Sequence, residues 1–262
     1  MVENINWSSV GRDMIGEIER KVMPLFGTPK AAEVVGKNES GDVTEYVDMV
    51  SEEVILKRLR PLGVNVVSEE AGEIDAGSET TVVVDPIDGS FNFTSGIPIF
   101  AFSMAVFKGT KPIYGLIHEF ITGRTYEAYS GKGALMNGNP VHVKPEEPRK
   151  AAVSFYTRGR GLNLIGRVKR VRVLGAIAVE LSYLASGALQ AVVDIRNYVR
   201  PTDIAAGVLI AREAGAIVTD ERGRSLELGG DLRASKKMNV VAASDERLHE
   251  LILRSLEEDG NV

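Results

Sequence analysis

Apolar positions first recur at helical spacing. Between Ser8 and Phe26, the residues Val10, Met14, Ile15, Ile18, Val22, Leu25 and Phe26 share one face of a 3.6-residue period, and Gly27 follows as a stop signal. This pattern predicts an amphipathic helix over 8–26. A polar, glycine-containing stretch, 36–42, reads as a mobile loop; Thr44 is then a candidate N-cap for a second helix ending near Pro61 and Gly63. From Val64 the period shortens to two. VNVVS, TTVVVD, IFAFSMAVF, PIYGLIHEF and RTYEAYS are short β-rich runs separated by Gly, Pro and Asp, which predicts an antiparallel or mixed sheet. Asn137-Gly138, between GKGALM and NPVHV, is a hairpin signal. GKGALMNG is not a dinucleotide fingerprint, because its third glycine falls in the wrong place.

Beyond Pro148 the pattern alternates. AAVSFY and VKRVRVL read as strands, AIAVELSYLASG as helix, LQAVVDI as strand and PTDIAAGVLIAREAG as helix; AIVTD, SLEL and MNVVAAS are strands before a last helix opened by Ser244. Such alternation predicts an α/β (α+β) chain with layers of helix against sheet. The expectation is two closely packed halves, 1–150 and 151–262, with a site in the crevice between them.

Composition narrows the chemistry. Apolar residues make up 44% and charged residues 26% of the 262, the balance of a soluble globular protein. A net charge of −5 gives no summed positive field for nucleic acid or an anionic membrane, so a small-molecule partner is expected. The absence of cysteine excludes disulfides, thiolate metal sites and thiol nucleophiles. No cationic leader opens the chain and no run approaches the roughly 18 apolar residues of a spanning helix, so a cytoplasmic protein is expected. Sequons at Asn6, Asn38 and Asn92 are chance matches without a secretion signal.

Acidic residues stand where local structure should end: Glu69 and Glu70 after VNVVS, Asp85 and Asp88 after TTVVV, and Asp203 at the start of PTDIAAG. Each alone is as well explained by a turn or a cap. Carboxylates that converge repel one another unless a cation neutralises them, and Mg2+ prefers oxygen ligands. The D-x-x-D spacing lets a turn stiffened by Pro86 put Asp85 and Asp88 on two sides of a small cavity, with the Ile87 carbonyl between them. Gly89 and Ser90 then open what reads as a short helix whose amides suit a phosphate oxygen, although Ser90 fits a plain N-cap equally well. His118, His142 and His249 neighbour no acidic motif and read as structural or surface residues. That leaves water activated by a metal as the nucleophile.

Glu69-Glu70, DPIDGS-x-NF and PTDIAAG, in this order, resemble the inositol monophosphatase and fructose-1,6-bisphosphatase family, most closely its archaeal dual-specificity members. The likeness spans nearly the whole chain. It implies a layered αβαβα sandwich of the sugar-phosphatase type, a homodimer, and Mg2+-dependent hydrolysis of phosphomonoesters such as fructose 1,6-bisphosphate and myo-inositol 1-phosphate by direct attack of water. Two or three Mg2+ ions are implied, with Mn2+ as a possible substitute. Carried onto this chain, Glu69, Asp85, the Ile87 carbonyl, Asp88 and Asp203 are the implied metal ligands. Asp42 would serve a more weakly held ion, and Glu70 would support the ligands from behind. Ser90 would orient water with an acidic partner, either Asp48 or Glu45, because this chain has T-x-x-x-D where many members have T-x-x-D. Thr202 replaces a tryptophan often found before the last aspartate.

In related inositol enzymes an acidic residue lies seven positions before the last metal aspartate; here that place is Arg196. With Arg172 and Arg200 it implies recognition of a second phosphate, which guanidinium groups bind bidentately. Asp88, Gly89, Ser90, Gly175, Ala176 and Glu180 complete the implied sugar pocket. Two other activities share these motifs: a nucleotide phosphatase acting on adenosine 3′,5′-bisphosphate or NADP, and a non-catalytic phosphate- or metal-binding protein.

Overall fold

The computed structural model describes residues 5–37 and 43–258. A small antiparallel hairpin joins β1 (Val34–Lys37) to β2 (Val43–Glu45). The first large sheet contains β3 (Asn65–Ser68), β4 (Gly72–Ile74), β5 (Thr80–Asp88), β6 (Ala101–Lys108), β7 (Lys111–Glu119), β8 (Arg124–Tyr129), β9 (Ala134–Met136) and β10 (Asn139–Val141). Its order is β10-β9-β8-β7-β6-β5-β3-β4, antiparallel except for the parallel pair β3 and β5. The second sheet has the order β12-β11-β13-β15-β14. It is built from β11 (Ala152–Tyr156), β12 (Arg170–Arg172), β13 (Ala191–Val199), β14 (Ile217–Thr219) and β15 (Met238–Ala243). The helices are α1 (Trp7–Lys21), α2 (Tyr46–Leu59), α3 (Ser90–Thr94), α4 (Ile177–Ala185), α5 (Pro201–Glu213) and α6 (Glu246–Glu258).

Alternation along the strands sets the layers. Val82 and Val84 of β5, with Phe102 and Met104 of β6, face α1 and α2, whereas Val83, Ala101 and Ala105 face α4 and α5. On the second sheet Val192, Val240 and Ala242 join that middle layer, while Val193, Ile195, Val241 and Ala243 pack with α6. The result is the αβαβα sandwich implied by the sequence motifs. Central strands are apolar on both faces because each face is covered by helices. None of the described helices is long and apolar enough to cross a membrane.

The structure refines several boundaries. The first helix stops at Lys21, and a 3-10 turn, Met23–Leu25, replaces the expected last turn because Pro24 lacks the N–H that a continuing helix needs. Thr44 is not the N-cap of α2. Glu45 is, in a capping box with Asp48, while the Thr44 hydroxyl donates to Glu70 Oε2 at 2.5 Å. Asp245 rather than Ser244 caps α6, its Oδ1 accepting from Leu248 N at 3.0 Å. VKRVRVL supplies only the three residues of β12. SLEL forms no strand: Ser225 makes one bridge to Thr219, and the Leu226 carbonyl is taken by Arg212 Nη2 at 2.8 Å. The Asn137-Gly138 hairpin forms as expected, with φ angles of 50° and 78°. His118 and His249 are buried and bonded to Thr125 and Thr219 hydroxyls, both at 2.8 Å.

Close approach of β7 to α5 depends on Gly115, where an added Cβ would lie 3.1 Å from the Ala206 carbonyl oxygen. Gly115→Ala is expected to cost about 1–3 kcal/mol by overpacking. Gly166→Ala, with no atom within 4 Å of the new methyl, should stay within about 0.5 kcal/mol of wild type. Thermal unfolding of the two variants checks this; equal Tm values would contradict the packing argument.

Candidate active site

The site grows from the end of β5, where every residue from Val82 to Asp88 is buried. Pro86 cannot donate to the ladder, and the register with β6 shifts between Asp85 and Asp88. Within that irregular stretch of strand, which replaces the expected turn, Ile87 N donates to Asp85 Oδ1 at 2.9 Å, holding the carboxylate over its own backbone. Gly89 follows at φ +90°; a Cβ there would lie 3.0 Å from the Ala176 Cβ and 3.2 Å from the Gly175 carbonyl oxygen. Only glycine meets both demands, positive φ and close approach to the second half of the chain.

Side-chain bonds stitch the motif to α4 and to the segment that leads into it. Asp88 Oδ2 accepts from Ala178 N at 2.8 Å, and buried Asn92 donates to the carbonyls of Ile99 and Leu174, each at 2.8 Å. Asn92 is therefore structural. Glu69 leaves β3 and Asp203 stands in the first turn of α5, so three element ends converge. One carboxylate oxygen from each of Glu69, Asp85 and Asp203 lies within 4.8 Å of the others. With Asp88 they line one wall of a cleft of about 230 Å3 that also includes Ile87, Gly89, Ser90, Gly175 and Arg196. Tyr156 and Tyr198 close its far side.

Electrostatics in this cleft are unfavourable for unneutralised acids. Burial, then the Asp203 charge, pushes Glu69 up to about 8. Asp85 lies well above its ordinary value through burial first and the Glu69 and Asp88 charges next; Asp88 is raised by burial and then by Asp203. Burial also raises Asp203, although bonds from Arg200 N and the Thr202 hydroxyl oppose the shift. Arg200 Nη1 gives Glu69 Oε1 a bond of 2.9 Å. An oxygen-only set of converging carboxylates, raised by one another's charge, fits a hard divalent cation.

The remaining expected residues fall in different places. Asp48 is half-buried in the capping box, its Oδ2 accepting from Glu45 N at 3.0 Å, and burial pushes it up to about 7 with help from Glu70 and Glu45. Its charge also acts on Glu69. Neither Asp48, Glu45 nor Glu70 lines the cleft itself. Asp42 lies outside the described residues.

The structure does not bring Arg172 to the cleft. On edge strand β12 it pairs with Ser154, short of Tyr156 at the cleft, and lines a separate shallow groove with Lys150 and Arg170. Arg200 is buried on Glu69 rather than presented to the cleft. Glu180 is 0% exposed, beneath the floor, where it accepts from the Tyr156 hydroxyl at 2.9 Å and from Leu174 N at 2.7 Å. Ala176 is likewise buried, as the N-cap residue of α4.

Tyr156, Asp194 and Tyr198 carry no motif, yet they surround Arg196. Its guanidinium lies 4.4 Å from the Tyr156 ring centre and 5.0 Å from that of Tyr198, and it forms an ion pair with Asp194. The signal for Asp194 is the spacing D-x-R on one strand, which puts both side chains on the same face. Behind Glu70, buried Glu52 accepts from the Ser68 hydroxyl at 2.5 Å and is pushed up by burial to about 7; no spacing in the sequence marks it.

Comparison with known proteins identifies the family and the fold. The sequence profile of the inositol monophosphatase family matches residues 8–261. A Thermococcus kodakarensis fructose-1,6-bisphosphatase/inositol-1-monophosphatase is 61% identical over 254 residues, covering 97% of this chain and 98% of that protein. Among solved structures, an inositol monophosphatase-fructose 1,6 bisphosphatase superposes with a TM-score of 0.93 at 46% identity, covering 96% of this chain and all of that one. A Pyrococcus horikoshii protein described as similar to inositol-1 monophosphatase gives 0.89 at 53% identity, over 95% of this chain and 97% of that one. With the match running from α1 to the C-terminal helix and the carboxylates of DPIDGS and PTDIAAG meeting in one cleft, the chain belongs to the inositol monophosphatase family, whose members are metal-dependent sugar phosphatases.

Proposed function

We propose that the protein is a Mg2+-dependent phosphomonoesterase that hydrolyses sugar phosphates, including fructose 1,6-bisphosphate and myo-inositol 1-phosphate. The observation that carries this reading is the convergence of Glu69, Asp85 and Asp203 within 4.8 Å, in a cleft that is also lined by Arg196. Glu69, Asp85, Asp88, Asp203 and the Ile87 carbonyl would hold the ions. Once bound, divalent ions supply positive charge to the phosphoryl oxygens and make water more acidic.

The protein's own groups do the rest. Ser90, at the start of α3, orients the attacking water by its hydroxyl. Asp48, raised to about 7, is matched to receiving a proton near neutral pH, which favours it over Glu45 as the acidic partner. Glu70 is held by Thr44, and its charge helps to raise Asp48. Arg196 draws the far phosphate of a bisphosphate, while Gly89 and Gly175 pack against Ala176 and Asn92 and so bring the two halves of the chain together at the cleft. The resemblance further supports a homodimer, and the lack of cysteine suits a reducing cytoplasm.

Phosphate release from both substrates should require Mg2+, disappear with EDTA, and fall on the order of a hundredfold or more in Asp85→Asn. Equal rates in all these conditions would sink the reading. A second expectation concerns stability without metal. Glu69 titrates near 4.5 when unfolded and near 8 when folded, so between these values the folded state holds more protons than the unfolded one. Stability should therefore fall as pH rises from about 5 to 8. Added Mg2+ should raise Tm more at pH 8 than at pH 5. A Mg2+ effect independent of pH, read by thermal unfolding, would show that the carboxylates do not bind the ion.

A further inference from the structure

Asp194 belongs to none of the acidic motifs, yet it is 0% exposed and bonded to the one arginine on the cleft wall. Its place in the backbone is fixed from both sides: on β13 it pairs with Tyr156 of β11 and with Val240 of β15. Immediately after it the register with β15 shifts, not resuming until Val199, and Asn197 takes a left-handed φ of 52°. Arg196 sits in this irregular stretch, without a ladder partner on β15 to set its position. Asp194 supplies that constraint.

Its Oδ1 accepts from Arg196 N at 3.0 Å and from Nε at 3.1 Å, and its Oδ2 accepts from Nε at 3.2 Å and from Nη2 at 2.6 Å. The carboxylate therefore occupies the Nε edge of the guanidinium. Nη1 makes no hydrogen bond among the described residues. The rings of Tyr156 and Tyr198 lie against the same guanidinium, limiting rotation out of plane. A planar guanidinium with donors on two edges can hold an anion on each, which an ammonium cannot do in fixed geometry.

We infer that Asp194 is a positioning residue for substrate choice: by holding the Nε edge of Arg196 it fixes the free Nη1 edge as the docking point for the second phosphate of a bisphosphate. This rests on the proposed phosphatase reading. Asp194 touches no substrate; it acts through Arg196. A freely rotating, unpaired arginine would spend ordering entropy each time a phosphate bound, and the buried carboxylate removes that cost beforehand.

The test is steady-state kinetics on fructose 1,6-bisphosphate and myo-inositol 1-phosphate, with thermal unfolding of each variant. Asp194→Asn should lower the ratio of kcat/KM for the bisphosphate over that for the monophosphate roughly tenfold, the loss falling on KM for the bisphosphate. Arg196→Lys should lose the ratio to a similar extent although it keeps the positive charge, and it decides the matter should Asp194→Asn fail to fold. In an Arg196→Met background, Asp194→Asn should change the ratio by no more than about twofold. A ratio unchanged in Asp194→Asn, an equal loss on both substrates, or tighter use of the bisphosphate would overturn the inference. If wild type hydrolyses both substrates and Arg196→Met leaves the ratio unchanged, this inference and the role given to Arg196 fail while the phosphatase reading stands; if wild type hydrolyses neither, the proposed function fails too.

Discussion

Four carboxylates gathered in one cleft, two of them buried and two half-buried, repel one another, and the rest of the architecture is organised around keeping Glu69, Asp85, Asp88 and Asp203 there. Left to themselves such groups would separate or protonate. They do not separate, because each is fixed by an element that is itself locked in the core: β3, β5 and α5 are buried by layers on both sides. Asp85 is further held by Ile87 N, Asp203 by Arg200 N and Asp88 by Ala178 N. The strain of gathering like charges is thus carried by backbone amides and by packing, a common arrangement where a site must be ready for a cation before it arrives.

That arrangement needs two sheets. Sheet one alone brings Glu69, Asp85 and Asp88 together at the C-terminal ends of its interior strands β3 and β5, and the middle helices add Asp203 from α5 and the amide of Ala178 from α4. Asn92 and Gly89 set the spacing across the gap, the first by bonding the Leu174 carbonyl and the second by having no side chain to collide with Ala176. The same approach leaves room for the opposite wall, where Tyr156, Tyr198 and Asp194 enclose Arg196. One wall is acidic and the other cationic. A phosphorylated sugar suits the space between only when a metal has reversed the charge of the first.

Legibility in the sequence followed locality. DPIDG reads as a turn after the strand, whereas β5 runs on through Asp88 with a break in register and turns only at Gly89; Asn137-Gly138 could be read as a hairpin because asparagine and glycine encode its backbone within two residues. Layers of helix against sheet followed from the alternation of strand and helix patterns beyond Pro148, whereas the burial of Val82 to Val84 on both faces is seen only in the fold. Thr44 was misleading because a threonine before a helix fits a cap, whereas in the folded protein its hydroxyl is claimed by Glu70, 26 positions away. Arg172, Arg200 and Glu180 stood in suggestive positions, but their directions depend on an edge strand, on Glu69 and on Tyr156.

By itself the sequence determined the kinds of ligand atom available, oxygen and no sulfur, since these depend on side-chain identity. It also determined that helices would be layered against sheets, because periods of two and 3.6 state which faces must be buried; the αβαβα order came only with the family resemblance. Only the tertiary structure decided which charges meet: that Arg200 turns onto Glu69, that Glu180 lies beneath the floor, and that Asp194 secures Arg196. Those pairings join residues on separate elements or follow a break in strand register. Their geometry is fixed by how whole layers pack, a quantity that no short window of the chain contains.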